Sequence, residues 1–308
     1  MSSFYGNVGS GGSSIDDGSF VQITGDTMTG ALGTTELTVG SRGTGSVGER
    51  SFTSGYNNIA SNQNASAEGY QTVASGSCAH AEGHQTVASG DDSHAEGRGA
   101  VASGQYSHAE GNGSQATGDY SHAEGTNAST AAGIGSHAEG GATEAIGNYS
   151  HAEGNNTHAT GWSSHAEGTT GTASGSCSHT EGQHTTASGT NAHAEGEDTI
   201  ASGVDSHAEG DHTIAASANQ HTSGKYNIRD NSNVYVEIVG NGTANNARSN
   251  ARTLDWSGNA AYAGKVTVGV GPTNSMDLTT KQYVDNLISN VGGVQTVEIT
   301  STDPVIIA

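Results

Sequence analysis

The sequence has few of the residues from which an ordinary globular core is built. Apolar residues make up 31% of the 308 positions, aromatic residues 5%, and there are only 2 prolines. A chain with so little apolar surface would ordinarily stay disordered, because burial cannot offset the conformational entropy lost on folding. The composition therefore excludes a conventional pair of globular domains.

Positive charge and long hydrophobic runs are also scarce. There are 9 Lys and Arg against 31 Asp and Glu, for a formal net charge of -22. This balance disfavours nucleic acid and anionic membranes as partners. No apolar run approaches a membrane span, and residues 1–6 lack the basic-then-apolar pattern of a secretory signal. We therefore expect synthesis in a cytoplasm without a signal peptide, and no insertion into a membrane.

What the sequence contains instead is a fourteen-residue repeat. The motif Ser-His-Ala-Glu-Gly recurs from Glu68 to Glu209, with a single fifteen-residue step between Glu124 and Glu139. A second motif, Thr-x-Ala-Ser-Gly, lies seven residues out of phase, as at 199–203. A period this short and regular is typical of a stacked solenoid. Because one chain of this kind has a very thin core, we expect an obligate homo-oligomer.

The repeat predicts which side chains face inward. Alternate residues of a strand face opposite ways, so the Ser, Ala and Gly of the motif share one face while His and Glu share the other. Two five-residue strands joined by two-residue turns would account for fourteen residues, and the inside then has room only for small groups. The glycines end each strand, where a tight turn needs unusual backbone angles.

The two outward faces differ in how much they vary along the chain. The His position is His in eleven consecutive copies, from His80 to His221, whereas the equivalent position of the second motif varies between Val73 and Ile214. A face packed against identical neighbours tolerates less variation than a solvated one, so we predict an inter-chain interface on the His/Glu face. The predicted interface ladder comprises His80, Glu82, His94, Glu96, His108, Glu110, His122, Glu124, His137, Glu139, His151, Glu153, His165, Glu167, His179, Glu181, His193, Glu195, His207 and Glu209.

The ladder has three interpretations. We favour imidazoles hydrogen bonded to carboxylates of neighbouring coils or chains, with no cofactor. The second interpretation is a structural or adventitious metal ion, Zn²⁺ or Ni²⁺, and the third is catalysis by the ladder residues. Glutamates stacked ~4.8 Å apart repel by about 1 kcal/mol in water, and they should raise the pKa of the adjacent histidines. The fold should then melt earlier at about pH 8.5 than at about pH 6.

No pattern in the sequence predicts catalysis. The His and Glu residues form a lattice, HExxH spacing is absent, and no serine stands out as a nucleophile. His84, His158, His184 and His212 lie outside the ladder, and we expect them to be exposed turn or second-motif residues.

Two further sets of residues occupy turn positions. Cys78 and Cys177 lie at one turn position seven coils apart, roughly 34 Å at ~4.8 Å per coil, and are predicted to be free thiols because a disulfide needs about 7 Å or less. The aromatic residues Tyr106, Tyr120 and Tyr149 share a turn column, and Trp162 precedes that column by one position in the next coil. Exposed aromatic groups often mark contacts, so we take these four as a candidate glycan site, with inter-chain packing or ordinary exposure as alternatives.

Outside the repeat the composition changes, which predicts four regions. They are an N-terminal extended attachment segment (1–43), the β-roll repeat domain (44–224), a small β domain (225–276) and a short trimeric coiled-coil helix with a C-terminal tail (277–308). In the small β domain we predict strands at 234–239 and 265–268, turns at 241–242 and 257–259, and a core around Trp256. The helix is predicted over 277–291, capped by Asp277.

The Ser-x-Ala-x-Gly period of fourteen over about 44–224 resembles the head domain of trimeric autotransporter adhesins. This resemblance implies an all-β fold, a left-handed parallel β-roll that assembles as a homotrimer. In those heads the outward strand positions are commonly aliphatic, whereas here they are His and Glu, so the interface chemistry is not carried over. An autotransporter should also have a secretion signal and a C-terminal membrane barrel, which the flanks do not resemble.

The flanks resemble phage tail-fibre proteins instead. Residues 25–30 are similar to the fibre "GDTMTG" motif, residues 277–285 to the fibre "ATKKYVD" helix, and residues 253–260 to structural proteins of phages of Gram-positive hosts. The resemblance implies a homotrimeric tail fibre in the virion tail that attaches to the host surface. Its partners would be other tail or baseplate proteins and a host receptor, with a glycan as one candidate. The alternatives are a bacterial cell-surface trimeric adhesin, and a fibre-borne depolymerase or self-cleaving fibre.

Overall fold

The computed structural model describes residues 36–42, 48–126 and 129–266, and the single residue 284. The described residues belong to one compact unit, Thr35–Ala308. The predicted attachment segment up to residue 35, the 25–30 motif and, apart from residue 284, the predicted helix at 277–291 lie outside them. Within the described part of the chain, no helix has the length and hydropathy needed to span a bilayer.

Each full coil contributes one long and one short strand to two parallel stacks. The long strands are β3 (Ser66–Tyr70), β5 (His80–His84), β7 (His94–Arg98), β9 (His108–Asn112), β11 (His122–Thr126), β13 (His137–Gly141), β15 (His151–Asn155), β17 (His165–Ala166), β19 (His179–Gln183), β21 (His193–Glu197), β23 (His207–Asp211) and β25 (His221–Lys225). The short strands are β4 (Val73–Ala74), β6 (Val87–Ala88), β8 (Val101–Ala102), β10 (Gln115–Ala116), β12 (Thr130–Ala131), β14 (Glu144–Ala145), β16 (His158–Ala159), β18 (Thr172–Ala173), β20 (Thr186–Ala187), β22 (Ile200–Ala201) and β24 (Ile214–Ala215).

The stacks keep the register of the sequence repeat. Each strand pairs in parallel with its equivalent one coil later, so that His80 faces His94 and Glu82 faces Glu96. The fifteen-residue step falls between a long strand and the short strand after it, because Asn112 still pairs with Thr126 at a spacing of fourteen while Gln115 pairs with Thr130 at fifteen. The predicted parallel β-solenoid with fourteen-residue coils is confirmed.

The predicted pair of equal strands is wrong, since the second strand has two residues and not five. The connection that follows each strand explains the difference. Left-handed residues recur every seven positions, as at Cys78 (φ 56°) and Gln85 (φ 58°), and flank both strands alike. Only residues 85–86 follow the first strand, whereas the short strand ends at Ala88 and is followed by a turn in which the Ser93 N–H donates to Gly90 O at 3.3 Å. The glycines of the first motif have positive φ, and a methyl group on Gly83 would lie 2.2 Å from the carbonyl oxygen of Gly97.

The interior is filled by small side chains, as predicted. Alanines of both motifs, such as Ala81 and Ala88, are fully buried. Buried hydroxyls satisfy nearby carbonyls: Ser121 Oγ donates to Gly118 O at 2.6 Å, and Thr86 Oγ1 donates to Glu82 O at 3.1 Å. Interior hydrogen bonds therefore stabilise a core that has little apolar surface.

One coil departs from this pattern in two compensating places. Thr180 stands where most coils have Ala, and Gly171 stands where most have Thr or Ser. A methyl group on Gly171 would lie 3.0 Å from Thr180 Oγ1 and 3.4 Å from Thr185 Oγ1. The missing side chain at 171 therefore leaves room for the extra atoms of Thr180.

Parallel pairing reaches beyond residues 44–224 at both ends. It begins with β1 (Glu36–Arg42) on β2 (Ser51–Ala60) and ends with β26 (Tyr235–Asn241) on β25. Two antiparallel strands follow, β27 (Asn250–Asp255) and β28 (Ala260–Tyr262).

Polar side chains close the C-terminal end of the stack. The buried Gln220 donates from Nε2 to Asp230 Oδ2 at 3.2 Å, and the same carboxylate oxygen accepts from the backbone N–H groups of Val234 and Tyr235. The final coil thus ends on hydrogen-bonded groups that cover the alanine interior.

Two predictions for the small β domain are wrong. Trp256 does not form a core: it is 50% exposed, with its indole N–H donating to Asn233 O at 3.1 Å. The fully buried large side chain there is Ile238. Lys265 and Val266, predicted to begin a strand, are not in one, and residues 267–268 lie outside the described residues.

The predicted free thiols are confirmed. Cys78 and Cys177 are both exposed and unpaired.

Candidate functional site: the His/Glu ladder and the aromatic turn column

The ladder histidines form a continuous stack of rings. From His80 to His221, successive ring centroids lie 4.7–5.0 Å apart and adjacent planes are nearly parallel, differing by 1° at His80–His94 and 22° at His207–His221. The parallel register of the long strands sets this spacing, because it places each imidazole over the one in the preceding coil. The side chains are half-buried, 35% exposed at His94 and 44% at His221.

The glutamates lie beside the imidazoles but mostly beyond hydrogen-bond distance. Each paired Nε2 approaches the carboxylate of the preceding coil, from 3.2 Å at His165–Glu153 to 4.0 Å at His108–Glu96. Among the described ladder pairs, only His165–Glu153 makes a hydrogen bond. The other Nε2 atoms are shielded from solvent without a hydrogen-bond partner; they belong to His80, His94, His108, His122, His137, His151, His179, His193, His207 and His221.

The expected rise in histidine pKa is wrong for the five ladder histidines whose pKa is perturbed. Burial lowers the pKa of His94, His122, His151, His179 and His207, and the neighbouring imidazoles lower it further. The adjacent glutamates raise the pKa of these residues, but by less. Burial and the neighbouring imidazoles together penalise the cation more than the carboxylates favour it.

Neighbouring carboxyl groups along the C-terminal half of the ladder have pKa values shifted in opposite directions. Burial, followed by hydrogen bonding to Glu153 and Glu181, raises the pKa of Glu167 to about 7. A hydrogen bond with Glu181, followed by burial, raises the pKa of Glu195 to about 7. Hydrogen bonds with Glu139 and Glu167 lower the pKa of Glu153, and hydrogen bonds with Glu195 and Glu167 lower that of Glu181. Raised and lowered pKa values therefore alternate from Glu153 to Glu195, as expected for coupled carboxyl groups.

An open groove runs beside the glutamate column because the next residue in each coil is glycine. Its first part, from Glu82 to Gly154, has a volume of about 850 Å³, and its second, from Glu167 to Gly224, about 750 Å³. The groove presents carboxylates on one side and bare backbone on the other.

The second-motif face is more exposed within one chain than the ladder face. Its first outward residue is mostly half-buried, as at Val73 and Val87, but its second is mostly exposed, as at Ser89 and Ile146. Here His158 Nδ1 lies 3.0 Å from Glu144 Oε2, within hydrogen-bond distance. The assignment of one face to a partner and the other to water stays a prediction.

Two histidines predicted to be exposed are partly buried against aromatic rings instead. His84 stacks on Tyr70 at 5.0 Å, and His212 stacks on Tyr226 at 4.4 Å. His212 also pairs with Asp211 and Asp198. Sequence reasoning missed both contacts, although the two residues of each pair lie fourteen positions apart.

The aromatic turn column has the predicted arrangement. Tyr106 and Tyr120 stack at 5.0 Å, and Tyr149 meets Trp162 edge to face at 6.5 Å. The four side chains are 47–63% exposed. Ile134, 43% exposed and two coils before Trp162 in the same column, extends the patch and was missed.

Parts of the repeat match a known family. Residues 81–107, 102–128, 181–204 and 194–216 match the family model described as "YadA head domain repeat (2 copies)". The repeat domain is an adhesin-head-like β-roll. The matched stretches cover about a quarter of the chain. No curated protein matches the chain.

Proposed function

We propose that the protein is a homotrimeric fibre protein whose β-roll forms a stiff rod that attaches to a host-cell surface. The observation that carries the proposal is the adhesin-head-like β-roll, which continues without a break in register from His80 to His221. Each coil contacts its neighbours along the stack, which suits a rod or an extended binding surface better than an enclosed active site.

The unfilled ladder face supports trimer formation. Its histidines are half-buried and the groove beside them is open along its length. Side chains of an identical neighbouring chain would fill such a groove and bury the imidazoles further. Light scattering in EDTA tests the assembly: we expect a mass about three times 30.7 kDa. A monomer would overturn the proposal.

The specific role that we propose is a phage tail fibre, found in the virion tail and made in the host cytoplasm. The support is the resemblance of residues 25–30, 253–260 and 277–285 to phage fibre and structural motifs. Other tail or baseplate proteins would be its partners at the particle. The second candidate is a bacterial cell-surface adhesin, which the match to the YadA head domain repeat favours.

Antibodies against residues 48–266 separate the two roles. We expect them to label tails of purified virions in electron micrographs. Labelling of intact bacterial cells, with unlabelled virions, would favour the surface adhesin.

We propose that the aromatic turn column contacts a host glycan. Tyr106, Tyr120, Tyr149 and Trp162 offer exposed ring faces and edges along one side of the rod, a surface suited to sugar stacking. The variant Tyr120→Ala/Tyr149→Ala should bind host cells less tightly, with Tyr56→Ala as a control at another exposed aromatic position. Equal binding by all three proteins would remove the glycan proposal.

We further propose that the protein is not an enzyme. The ladder repeats one environment many times, whereas a depolymerase or self-cleaving fibre needs a distinct pair of acids or a nucleophile. Incubation of the purified chain tests both alternatives. A shortened product, or fragments released from host polysaccharide, would contradict the proposal.

A further inference from the structure

Several ladder histidines place Nε2 between carboxylates from two coils. His80 Nε2 lies 3.5 Å from Glu68 Oε1 and 4.0 Å from Glu82 Oε2. His137 Nε2 lies 4.0 Å from Glu124 Oε1 and 3.9 Å from Glu139 Oε2. The repeat thus presents one nitrogen and two carboxylate oxygens together at successive levels of the stack.

These separations are too long for hydrogen bonds, which span about 2.7–3.2 Å. They match the separation of two ligands on one metal ion. Zn–N bonds of about 2.0–2.1 Å and Zn–O bonds of about 2.0–2.2 Å place nitrogen and oxygen roughly 3.3–4.0 Å apart at bond angles from tetrahedral to about 150°. The Nε2 atoms of His80 and His137 are also shielded from solvent without a hydrogen-bond partner, as an unfilled ligand position would be.

We propose that the His/Glu ladder binds divalent transition-metal ions of the Zn²⁺ class. Each ion is held by three ladder side chains of adjacent coils, either one histidine with two glutamates or two histidines with one glutamate, as at His137, Glu139 and His151, and water completes the coordination. His94 with Glu82 and Glu96 is one such set, in which the three ligand atoms lie within 4.8 Å of one another. Imidazole combined with carboxylate suits Zn²⁺, Ni²⁺ and Co²⁺.

The stack limits how many ions the ladder holds. Neighbouring histidines share a glutamate, as His80 and His94 share Glu82. Ions on adjacent levels would lie one strand spacing apart and repel strongly, so alternate levels fill first. Ten ladder histidines, from His80 to His207, have glutamates in two adjacent coils, so we expect about five ions per chain. The site needs one chain only, so the inference does not depend on trimer formation.

The test is calorimetric titration of the untagged, EDTA-stripped full chain with Zn²⁺, alongside two variants. The first, Glu82→Gln/Glu96→Gln/Glu110→Gln, removes three adjacent ladder carboxylates and keeps their shape. The control removes the same charge from exposed acids of the same region, Asp91→Asn/Asp92→Asn/Asp119→Asn. Circular dichroism confirms that each variant is folded.

We expect saturable binding of about five ions by the wild type and the control. The ladder variant should bind one to two fewer. An equal reduction in both variants would show that Zn²⁺ binds acidic surface without a built site, and the proposal would be wrong. The absence of saturable Zn²⁺ binding by the wild type would also overturn the proposal.

Zinc-edge X-ray absorption of the wild type supplies a measurement that depends on no variant. We expect one to two imidazole nitrogens per ion, with oxygen ligands completing the shell. A spectrum with oxygen ligands alone would refute the assignment to the ladder.

Discussion

Gly171 and Thr180 should be energetically coupled, because the missing side chain of one makes room for the other. The change Gly171→Ala adds a methyl group 3.0 Å from Thr180 Oγ1 and 3.3 Å from Glu167 O. Overpacking of this kind lowers the free energy of unfolding by about 1–3 kcal/mol. Replacing glycine also lowers the entropy of the unfolded chain, which stabilises the fold by about 0.4–1 kcal/mol. We therefore expect Gly171→Ala to destabilise the coil by roughly 1–2 kcal/mol.

The partner change should cancel this penalty. Thr180→Ala restores the alanine found in most coils, and it removes a buried hydroxyl that has no hydrogen-bond partner. In that background Gly171→Ala has room for its methyl group, so it should be neutral or stabilise by up to ~1 kcal/mol. The expected coupling energy is about 1–3 kcal/mol.

Urea unfolding of the four proteins at one chain concentration measures the coupling, since assembly would make stability concentration dependent. Trp162, in the neighbouring coil, reports local unfolding by fluorescence, while Trp256 lies beyond the repeat. A matched control places threonine in the same column one coil earlier. In Ala166→Thr the new side chain lies nine positions after Thr157, as Thr180 lies nine positions after Gly171, but no glycine makes room for it, so the variant should be less stable. The reasoning is refuted if Gly171→Ala costs as much in the Thr180→Ala background as it does in the wild type.

Three further predictions concern pH, a turn and the end of the stack. In EDTA, the lowered pKa of the five histidines means that the unfolded chain binds more protons below pH 6.5, so stability should fall on acidification. Glu167 and Glu195 have the opposite effect on stability. Because their pKa is raised to about 7, the folded chain binds more protons than the unfolded chain, and the stability that this gives is lost as the pH rises toward 7. Glu167→Gln/Glu195→Gln should therefore lose melting temperature more steeply than wild type from about pH 7 to about pH 5, and equal slopes would contradict this. Ser121→Ala removes the 2.6 Å hydrogen bond to Gly118 O and should cost about 1 kcal/mol in urea unfolding, whereas no loss would argue against hydroxyl support of the turn. Asp230→Ala leaves the N–H groups of Val234 and Tyr235 without their acceptor and should cost about 1–3 kcal/mol, seen as earlier loss of Trp256 fluorescence; an unchanged midpoint would show that the end is closed otherwise.

The sequence predicted the features that depend on side-chain size and spacing. Alanine at a strict fourteen-residue period allows only a thin interior, and that fixed the parallel register and the outward position of His94 and Glu96. The compensation between Gly171 and Thr180 could also have been found, because each departs from the residue type usual in its column and the two lie nine positions apart, within the length of one coil.

Features that depend on the backbone or on stacked charge were not predictable in the same way. Cys78, Gln85 and Tyr106 all occupy left-handed turn positions, and these residue types carry no common signal for that conformation. The histidine pKa depends first on burial, then on the stacked imidazoles, and least on the nearby carboxylates, so a prediction from the adjacent glutamates alone had the wrong direction.

The turn column that contains Tyr106 also has a consequence for how such a rod can change. Its backbone angle stays within a few degrees whether the residue is Cys78, Asp92, Tyr106 or Asn191. The side chains at this position are exposed, so the alanine interior does not constrain their identity. A single substitution can thus alter the outer surface at one level and leave the scaffold intact. The stack can therefore present side chains of different chemistry at intervals of about 4.8 Å, each exchangeable without a change in the coil that carries it.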